Sequence, residues 1–468
     1  MQKRLLIILV VIILIGVVLY FTNRKEINEG YKKDTITVKQ DNFTYKQQNI
    51  TFNKQGLFFN RRIDYDTLEG HYTAKMTILG NKGMLYYFNE NKELIAEKLK
   101  EGPLPMNTMF YIETDGDHYL SGQNYTYRDL GNGTKESIEE HVVPVHLSQH
   151  EDTWLVTYTF KLEKNWHGIM WGLQSPNQLI DLTNPENVQL WSYYDVDKKA
   201  RFGEDGYYYK SPNSYKPTSN HAFWKNPAMY IVSSFTEKGG SLASDLLAQS
   251  WLIIAADNLN DHGYFPTLPQ SDWLKNDYGI GAHFFDTRFN ADIIETYLIA
   301  YQKFGHDIFR QVYLEAAHYY VEHAKNNHFT FDSEKNGEGW LVEDYYHEID
   351  NLNPTHTSLN HQLQAINMFL LLYEEEENQE YLVIAEYMLK GIKNTLDCWI
   401  MEDHNLEYAY LPDGTMGFVD YPYLTYNDLF KSQELLTRIN GEGDEDLDYL
   451  MRAKKIWMDD NGITGYEQ

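Results

Sequence analysis

One cysteine, Cys398, is all the thiol in 468 residues, so no intramolecular disulfide can form and burial alone must stabilise the chain. It lies in the helical run TLDCWI with no histidine partner nearby, and reads as a small buried residue rather than a nucleophile. Basic residues are scarce as well. Lys and Arg number 40 against 68 Asp and Glu, a formal net charge of −28, which excludes the cationic clusters that phosphate-backbone binding demands. The sequence also lacks a His-Glu-x-x-His pair, a Gly-x-Ser-x-Gly elbow, a phosphate loop and a dinucleotide-binding glycine motif, which removes the commonest hydrolase and nucleotide-dependent readings.

What the chain has is an apolar run, a strand-rich half, a helical half and a surplus of aromatic residues. Residues 5 to 21 are uncharged and apolar, flanked by Lys3 and Arg4 before and Arg24 and Lys25 after. A cleaved signal peptide shares this pattern, but no small-x-small cleavage site follows Tyr20. An uncleaved membrane anchor over 1–25 is therefore expected, then a polar stalk over 26–40, with the globular part outside the cytoplasm at the cell membrane.

From 41 to 238 the segments FTYKQQNITF, YTAKMTIL, GMLYYFN, TMFYIETD, TWLVTYTFKL and AMYIVSSF are rich in β-branched and aromatic residues and are separated by Gly, Asn and Asp turns. They predict an antiparallel β-sandwich or barrel. The aromatic residues of NWHGIMWGL and WSYYDV suit either a sugar-stacking surface or buried core. Past Gly239-Gly240 the period changes to that of helices, expected over 241–258, from 290, and over 308–325, 359–373, 380–401 and 426–438. Asp286 or Thr287 is expected to cap the second and Thr357 or Ser358 the fourth. The predicted fold class is thus α+β multidomain: an N-terminal transmembrane helix, the β region, then an incomplete (α/α) toroid over 239–468 with a groove at its helix ends.

Within HFTFDSEKNGEGWLVEDYYHE, the residues Asp332, Glu334, Asn336, Gly337 and Glu343 fall at positions 1, 3, 5, 6 and 12 of a calcium-loop pattern. The same stretch reads as a β-hairpin turning at Lys335-Asn336-Gly337, which is the expected form, with Ca2+ as the alternative.

Five tyrosines, at 408, 410, 421, 423 and 426, crowd residues 406 to 436 around a Pro-Asp-Gly turn and a helix start. They form either a packed aromatic seam or a site in which shifted phenols exchange protons. The run Asp420-Tyr421-Pro422-Tyr423-Leu424-Thr425-Tyr426-Asn427-Asp428-Leu429 resembles the final motif of the D-glucuronyl C5-epimerase family, Trp-Asp-Tyr-His followed by a Thr-rich turn and Asn-x-Leu. Val419 stands in place of the Trp and Pro422 in place of the His. A second family segment resembles residues 340 to 360 through Trp340, Glu343, Tyr345, Pro354, Ser358, Leu359 and Asn360, with Tyr345 and Tyr346 as alternatives for one position. Tyr408 stands where the family has a Tyr after a glycine turn. The likeness covers roughly the last half of the chain.

The resemblance implies a membrane-anchored, heparosan-type isomerase that inverts C5 of D-glucuronosyl residues in a uronate-containing polysaccharide, with no required cofactor and no metal. It implies direct roles for Tyr345, Tyr408 and Tyr421 in proton transfer or substrate binding, with Glu343 beside them. Inverting C5 needs acid–base groups on both faces of the sugar and a partner for its carboxylate. Arg288, in FDTRFNAD, is the expected carboxylate clamp, a surface arginine being its alternative; Asn360, Tyr346, Asn427 and Asp420 are the further substrate-binding candidates. Among His347, His356, His361 and His404 one could replace the missing histidine. Three alternatives stay open: a polysaccharide lyase that starts with the same proton abstraction, a non-catalytic glycan-binding or assembly protein, and a glycoside hydrolase pairing Glu343 with Asp420. Pairing of toroid surfaces would give a homodimer.

Overall fold

The computed structural model describes residues 30 to 467, apart from 41, 66–68, 123, 198–200 and 351–352. A sheet of thirteen strands and a smaller sheet of four face each other across the first half of the chain. The strand Thr153–Glu163, central in the smaller sheet, shows why. Trp154, Val156, Tyr158, Phe160 and Leu162 alternate inward and are buried, and with Phe59, Ile63 and Met170 of the large sheet they form a core between the layers. The second face of the large sheet is equally apolar and is covered by a helix.

Ten α-helices are described: α1 (Pro185–Ser192), α2 (Tyr230–Lys238), α3 (Leu242–Ala255), α4 (Asp272–Tyr278), α5 (Thr287–Phe304), α6 (Asp307–Asn326), α7 (Leu359–Glu376), α8 (Gln379–Asn394), α9 (Leu424–Asn440) and α10 (Glu445–Asp460). Helix α3 is buried nearly all round. Its Trp251 stacks on Phe202 (4.4 Å between centroids, 7° between planes) and meets Phe58 edge-on at 5.1 Å, so one core runs without a break from sheet to helices. Side chains close the first turns: Ser241 accepts from the Ser244 amide, Asp286 from Phe289, and Asp444 from Asp446 and Leu447. Gly305 and Gly441 end α5 and α9 in the left-handed region, at φ 72° and 84°. Helices α5, α7 and α9 lie side by side, backed by α6, α8 and α10. A strand hairpin or short strand pair leads into α7 and α9, placing the three helix N-termini at one end of the helical region.

Several expectations are corrected. Among the described residues no helix is long and apolar enough to cross a membrane, against the single-pass anchor and the membrane location built on it; the run 5–21 itself lies outside the described residues. The fold class is corrected to a large β-sheet region joined to a helical region through a shared core, with no membrane-spanning helix among the described residues. The stalk expected over 26–40 contains the strand Tyr31–Gln40, paired along its whole length with Phe43–Phe52. AMYIVSSF is not a strand: most of it is α2, because Ile231, Val232 and Phe235 share one face that packs into the core, and packing overrides β-branched propensity. The helix expected over 380–401 stops at Asn394, and Cys398, in the 3-10 turn after it, is exposed rather than buried. The calcium-loop pattern is occupied by the hairpin His328–Ser333/Gly337–Val342, with Ser333 opposite Gly337; Glu343 lies beyond it, its carboxylate accepting from the Thr355 amide at 2.7 Å.

Candidate active site

The N-termini of α5, α7 and α9 bring together residues far apart in sequence. The short strand Phe285–Asp286 pairs with Tyr345–Tyr346, setting Asp286 opposite Tyr345; Thr357–Ser358 pairs with Glu407–Tyr410, bringing Tyr408 alongside. Alternation along a strand sends neighbours to opposite faces. Tyr345 therefore joins the aromatic cluster, 5.5 Å from the His356 ring and 5.6 Å from His361, while Tyr346 turns away to His323. The cluster continues from His356 to Tyr408 (6.2 Å) and from Tyr408 to Tyr421 (5.7 Å, planes at 78°). Tyr345 and His356 are buried, whereas Tyr421 is 49% exposed, so the cluster runs from the interior to the surface. Trp273 of α4 closes one wall, 5.1 Å from His356 and 6.3 Å from Phe418.

Beneath the rings lie two carboxyl groups without a matching cation. Asp286 caps α5 through the Phe289 amide (2.9 Å), and burial pushes its carboxyl up to about 7 despite that bond and the nearby Arg288. Asp344 sits at the N-terminus of α7, accepting from the Ser358 amide (3.0 Å) and hydroxyl (2.5 Å); burial holds it well above the usual carboxylate range. Ser358, expected to cap α7 with its own side chain, spends its hydroxyl on Asp344 instead. His356 Nε2 and His361 Nδ1 face the same Asp344 oxygen at 3.4 and 3.5 Å, and burial keeps both imidazoles neutral, His356 lowered to about 4. Tyr278 and Thr287 hold the two rings through Nδ1, at 3.0 and 2.9 Å. The phenols of Tyr345, Tyr408 and Tyr421 are all raised, by burial first and by surrounding carboxylates and phenols second. At neutral pH they are proton donors. Asp286 lies near enough for its charge to raise the phenols of Tyr215, Tyr345, Tyr408 and Tyr421 alike.

The other expected site residues sit differently. The guanidinium of Arg288 is already engaged: Nη1 and Nη2 bind Asp428 at 2.5 and 3.2 Å, Nη1 also takes the Asn360 carbonyl at 2.9 Å, and Nε faces Asp292 at 3.3 Å. Its fork is closed on protein carboxylates, so Arg288 is an organising residue between α5 and α9 rather than an open clamp. Asn360 contributes its backbone carbonyl to that contact. Asp420 is locked in a fully buried pair with Lys454 at 2.7 Å and accepts from Thr425 at 2.5 Å, while Asn427 accepts from the Glu467 amide. With Glu343 committed to Thr355 and Asp420 to Lys454, the paired carboxylates of the hydrolase reading are both taken. Glu343 adjoins the cluster through Asp344. His347 and His404 lie outside the ring cluster; His356 and His361 lie inside it.

Sequence reasoning missed Asp286 and Asp344 as chemical groups. Asp286 announced itself only as a helix cap. Asp344 is preceded by Glu343 and followed by two tyrosines, and nothing local marks which of the four faces inward. Among the described residues no group of three or more His, Cys, Asp and Glu side chains is arranged to hold a metal ion.

No family model matches this chain and no curated protein matches it, so the resemblance to the glucuronyl C5-epimerases gains no support from either. Among solved structures the chain is similar to a D-mannose isomerase (13% identity, TM-score 0.41, covering 60% of this chain and 71% of that one). It is similar also to a cellobiose 2-epimerase from Bacillus thermoamylovorans (10%, TM-score 0.41, 58% and 70%) and to a family 76 glycoside hydrolase from a bovine Bacteroides thetaiotaomicron strain (11%, TM-score 0.40, 91% and 77%). These neighbours are carbohydrate-processing enzymes. At such scores the likeness transfers neither their fold nor their chemistry, and a functional reading has to stand on the residues of this chain.

Proposed function

We propose that this protein is an epimerase that inverts C5 of D-glucuronosyl residues within a polysaccharide. The observation that carries the reading is the meeting of Asp286, raised to about 7, with three protonated phenols, those of Tyr345, Tyr408 and Tyr421. A base near neutrality and a phenolic acid are the two acid–base groups an inversion needs, and a general base works best with its pKa near the operating pH.

In this reading the Asp286 carboxylate takes the C5 proton from one face. The electron pair moves into the sugar carboxylate as an enediolate, and a phenol on the opposite face returns a proton to C5. The resulting tyrosinate is restored by solvent through the exposed Tyr421, and Asp286 loses its proton the same way, so the protons balance over a cycle. The developing charge falls at the N-termini of α7 and α9, where the helix dipole favours an anion. Burial moves Asp344 well above the usual carboxylate range, which disfavours a second negative charge beside the developing one.

The test is proton exchange with the full chain in deuterated water, on glucuronate-containing polysaccharides, read by NMR. Deuterium at C5 together with iduronate signals is the expected result, abolished in Asp286→Asn and strongly reduced in Tyr421→Phe. Absence of label and of new sugar signals on every polymer would sink the reading, and ultraviolet absorbance from an unsaturated uronate would replace it with a lyase.

A further inference from the structure

Beside the candidate active site lies a cavity of about 320 Å3 lined by Tyr193, Tyr207, Tyr209, Tyr230, Ile231 and Ser234, at the small end of the range of ligand pockets. Four of its six lining residues are tyrosines. Tyr209 and Tyr230 are 47% and 45% exposed, although large aromatic side chains ordinarily find burial on folding. The backbone around the cavity is unusual in two places. Tyr193 begins a π-helical turn, Tyr193–Asp197, a form that recurs at functional sites, and Met229, immediately before Tyr230, adopts the left-handed conformation at φ 52°. Both irregularities set the angle at which a lining tyrosine enters.

The cavity is tied to the site by direct contacts. The Tyr230 hydroxyl donates to Asp292 at 3.3 Å, Asp292 accepts from Arg288 Nε, and Arg288 holds Asp428 at the start of α9. The Tyr230 ring meets Phe289, the residue after Arg288, at 6.2 Å.

From this geometry we infer that the cavity is a glycan subsite for one uncharged pyranose unit next to the sugar undergoing reaction. Phenol rings present flat apolar faces to the C–H face of a pyranose, and their hydroxyls, with that of Ser234, exchange hydrogen bonds with its hydroxyl groups. None of the six lining residues is charged, in a chain of net charge −28. A uronate carboxylate placed there would lose hydration without gaining a cation, whereas a neutral sugar pays no such penalty. The subsite therefore selects polymers in which the uronate is followed or preceded by a neutral sugar. It rests on the reading of the neighbouring site as glycan-processing, and its test is independent of turnover.

The experiment is saturation-transfer NMR and calorimetry on the full chain with uronate-free trisaccharides: α-1,6-mannotriose, cellotriose and maltotriose. Binding of at least one is expected, weakened about tenfold or more in Tyr209→Ala and in Tyr193→Ala and unchanged in Tyr421→Phe and Asp286→Asn, with unaltered melting temperatures excluding misfolding. Tyr230→Phe, which keeps the ring and loses the hydroxyl, is expected to weaken binding less than Tyr209→Ala. Binding lost in Tyr421→Phe but kept in Tyr209→Ala would move the sugar to the active site and overturn the proposal. So would failure of all three probes to bind. If the trisaccharides bind as expected and no C5 exchange is found on any polymer, the subsite stands and the epimerase reading falls.

Discussion

Two clusters of acids in this protein, one partly exposed and one buried, are built to opposite rules. In the β region Glu204 receives Lys135 on both oxygens at 2.7 Å, Arg62 at 2.5 Å and the Tyr127 hydroxyl at 3.1 Å, while Arg62 also holds Asp64 at 2.8 Å. Burial opposes the charge on Glu204, but Lys135 and Arg62 outweigh it and bring the carboxyl down to about 2. At the helix ends Asp286 and Asp344 have no cation bound to them, and burial moves both carboxyls upward. A matched cluster cross-links strands and stays charged. An unmatched one carries a titration near neutrality, an arrangement that weakens a fold and suits proton transfer. The comparison also explains Arg288: paired with Asp428 and Asp292, it follows the matched rule although it borders the unmatched cluster.

Breaking the unmatched side should give the largest effect. Asp286→Asn keeps an acceptor for the Phe289 amide and so the cap, but removes the base; C5 exchange is expected to fall about 1,000-fold, with the thermal midpoint unchanged or raised. A fall in stability with exchange intact would place Asp286 in the structural class. The converse substitution, Glu204→Gln, leaves Lys135 and Arg62 short of their shared partner. It should cost about 3 kcal/mol in urea unfolding, with exchange per folded molecule retained; a neutral outcome would show that the matched cluster contributes little beyond packing.

The difference between the clusters was invisible in sequence, for a physical reason. Spacing and capping residues are local, and they disclosed most helices and strands: the apolar spacing over 241–258 for α3, Asp286 before α5, the alternation of TWLVTYTFKL. The family resemblance gathered Tyr345, Tyr408 and Tyr421 as candidates; Tyr408 and Tyr421 meet ring to ring, and Tyr345 joins them through His356. Whether a carboxylate meets a cation depends on partners far along the chain, such as Lys454 for Asp420, 34 residues later, or Asp428 for Arg288, 140 residues later. No periodicity records such pairings. The same limit hid α2, whose β-branched residues read as strand until the core they join is known.

A smaller effect sharpens the division of labour within the unmatched cluster. Tyr421→Phe removes a half-exposed hydroxyl on a ring packed against Tyr408, and is expected to lower C5 exchange about 100-fold while shifting stability by less than about 0.5 kcal/mol. Equal losses in Tyr421→Phe and Tyr346→Phe would contradict the assignment of facing, because Tyr346 points toward His323 and away from the cluster.

The smallest expected effect lies in the pH dependence of stability, where the two clusters should have opposite signs. The folded pKa of Asp286, about 7, exceeds the ordinary aspartate value, so between about pH 4 and 7 the native state holds a proton that the unfolded chain has released. Stability therefore falls as pH rises through that window and levels above it. Glu204 is depressed to about 2, so its contribution is complete above the ordinary glutamate value and is lost as pH falls from about 4.5 toward 2. Comparison of each variant with the parent isolates the two terms from the other carboxylates. The urea-unfolding difference between Asp286→Asn and the parent should widen steadily from pH 4 to 7 in favour of the variant, and the cost of Glu204→Gln should shrink on acidification below pH 4.5. A flat difference for Asp286→Asn across pH 4 to 7 would mean that its carboxyl titrates in its ordinary range, and Asp286 would then lose its claim to be a base poised near neutrality.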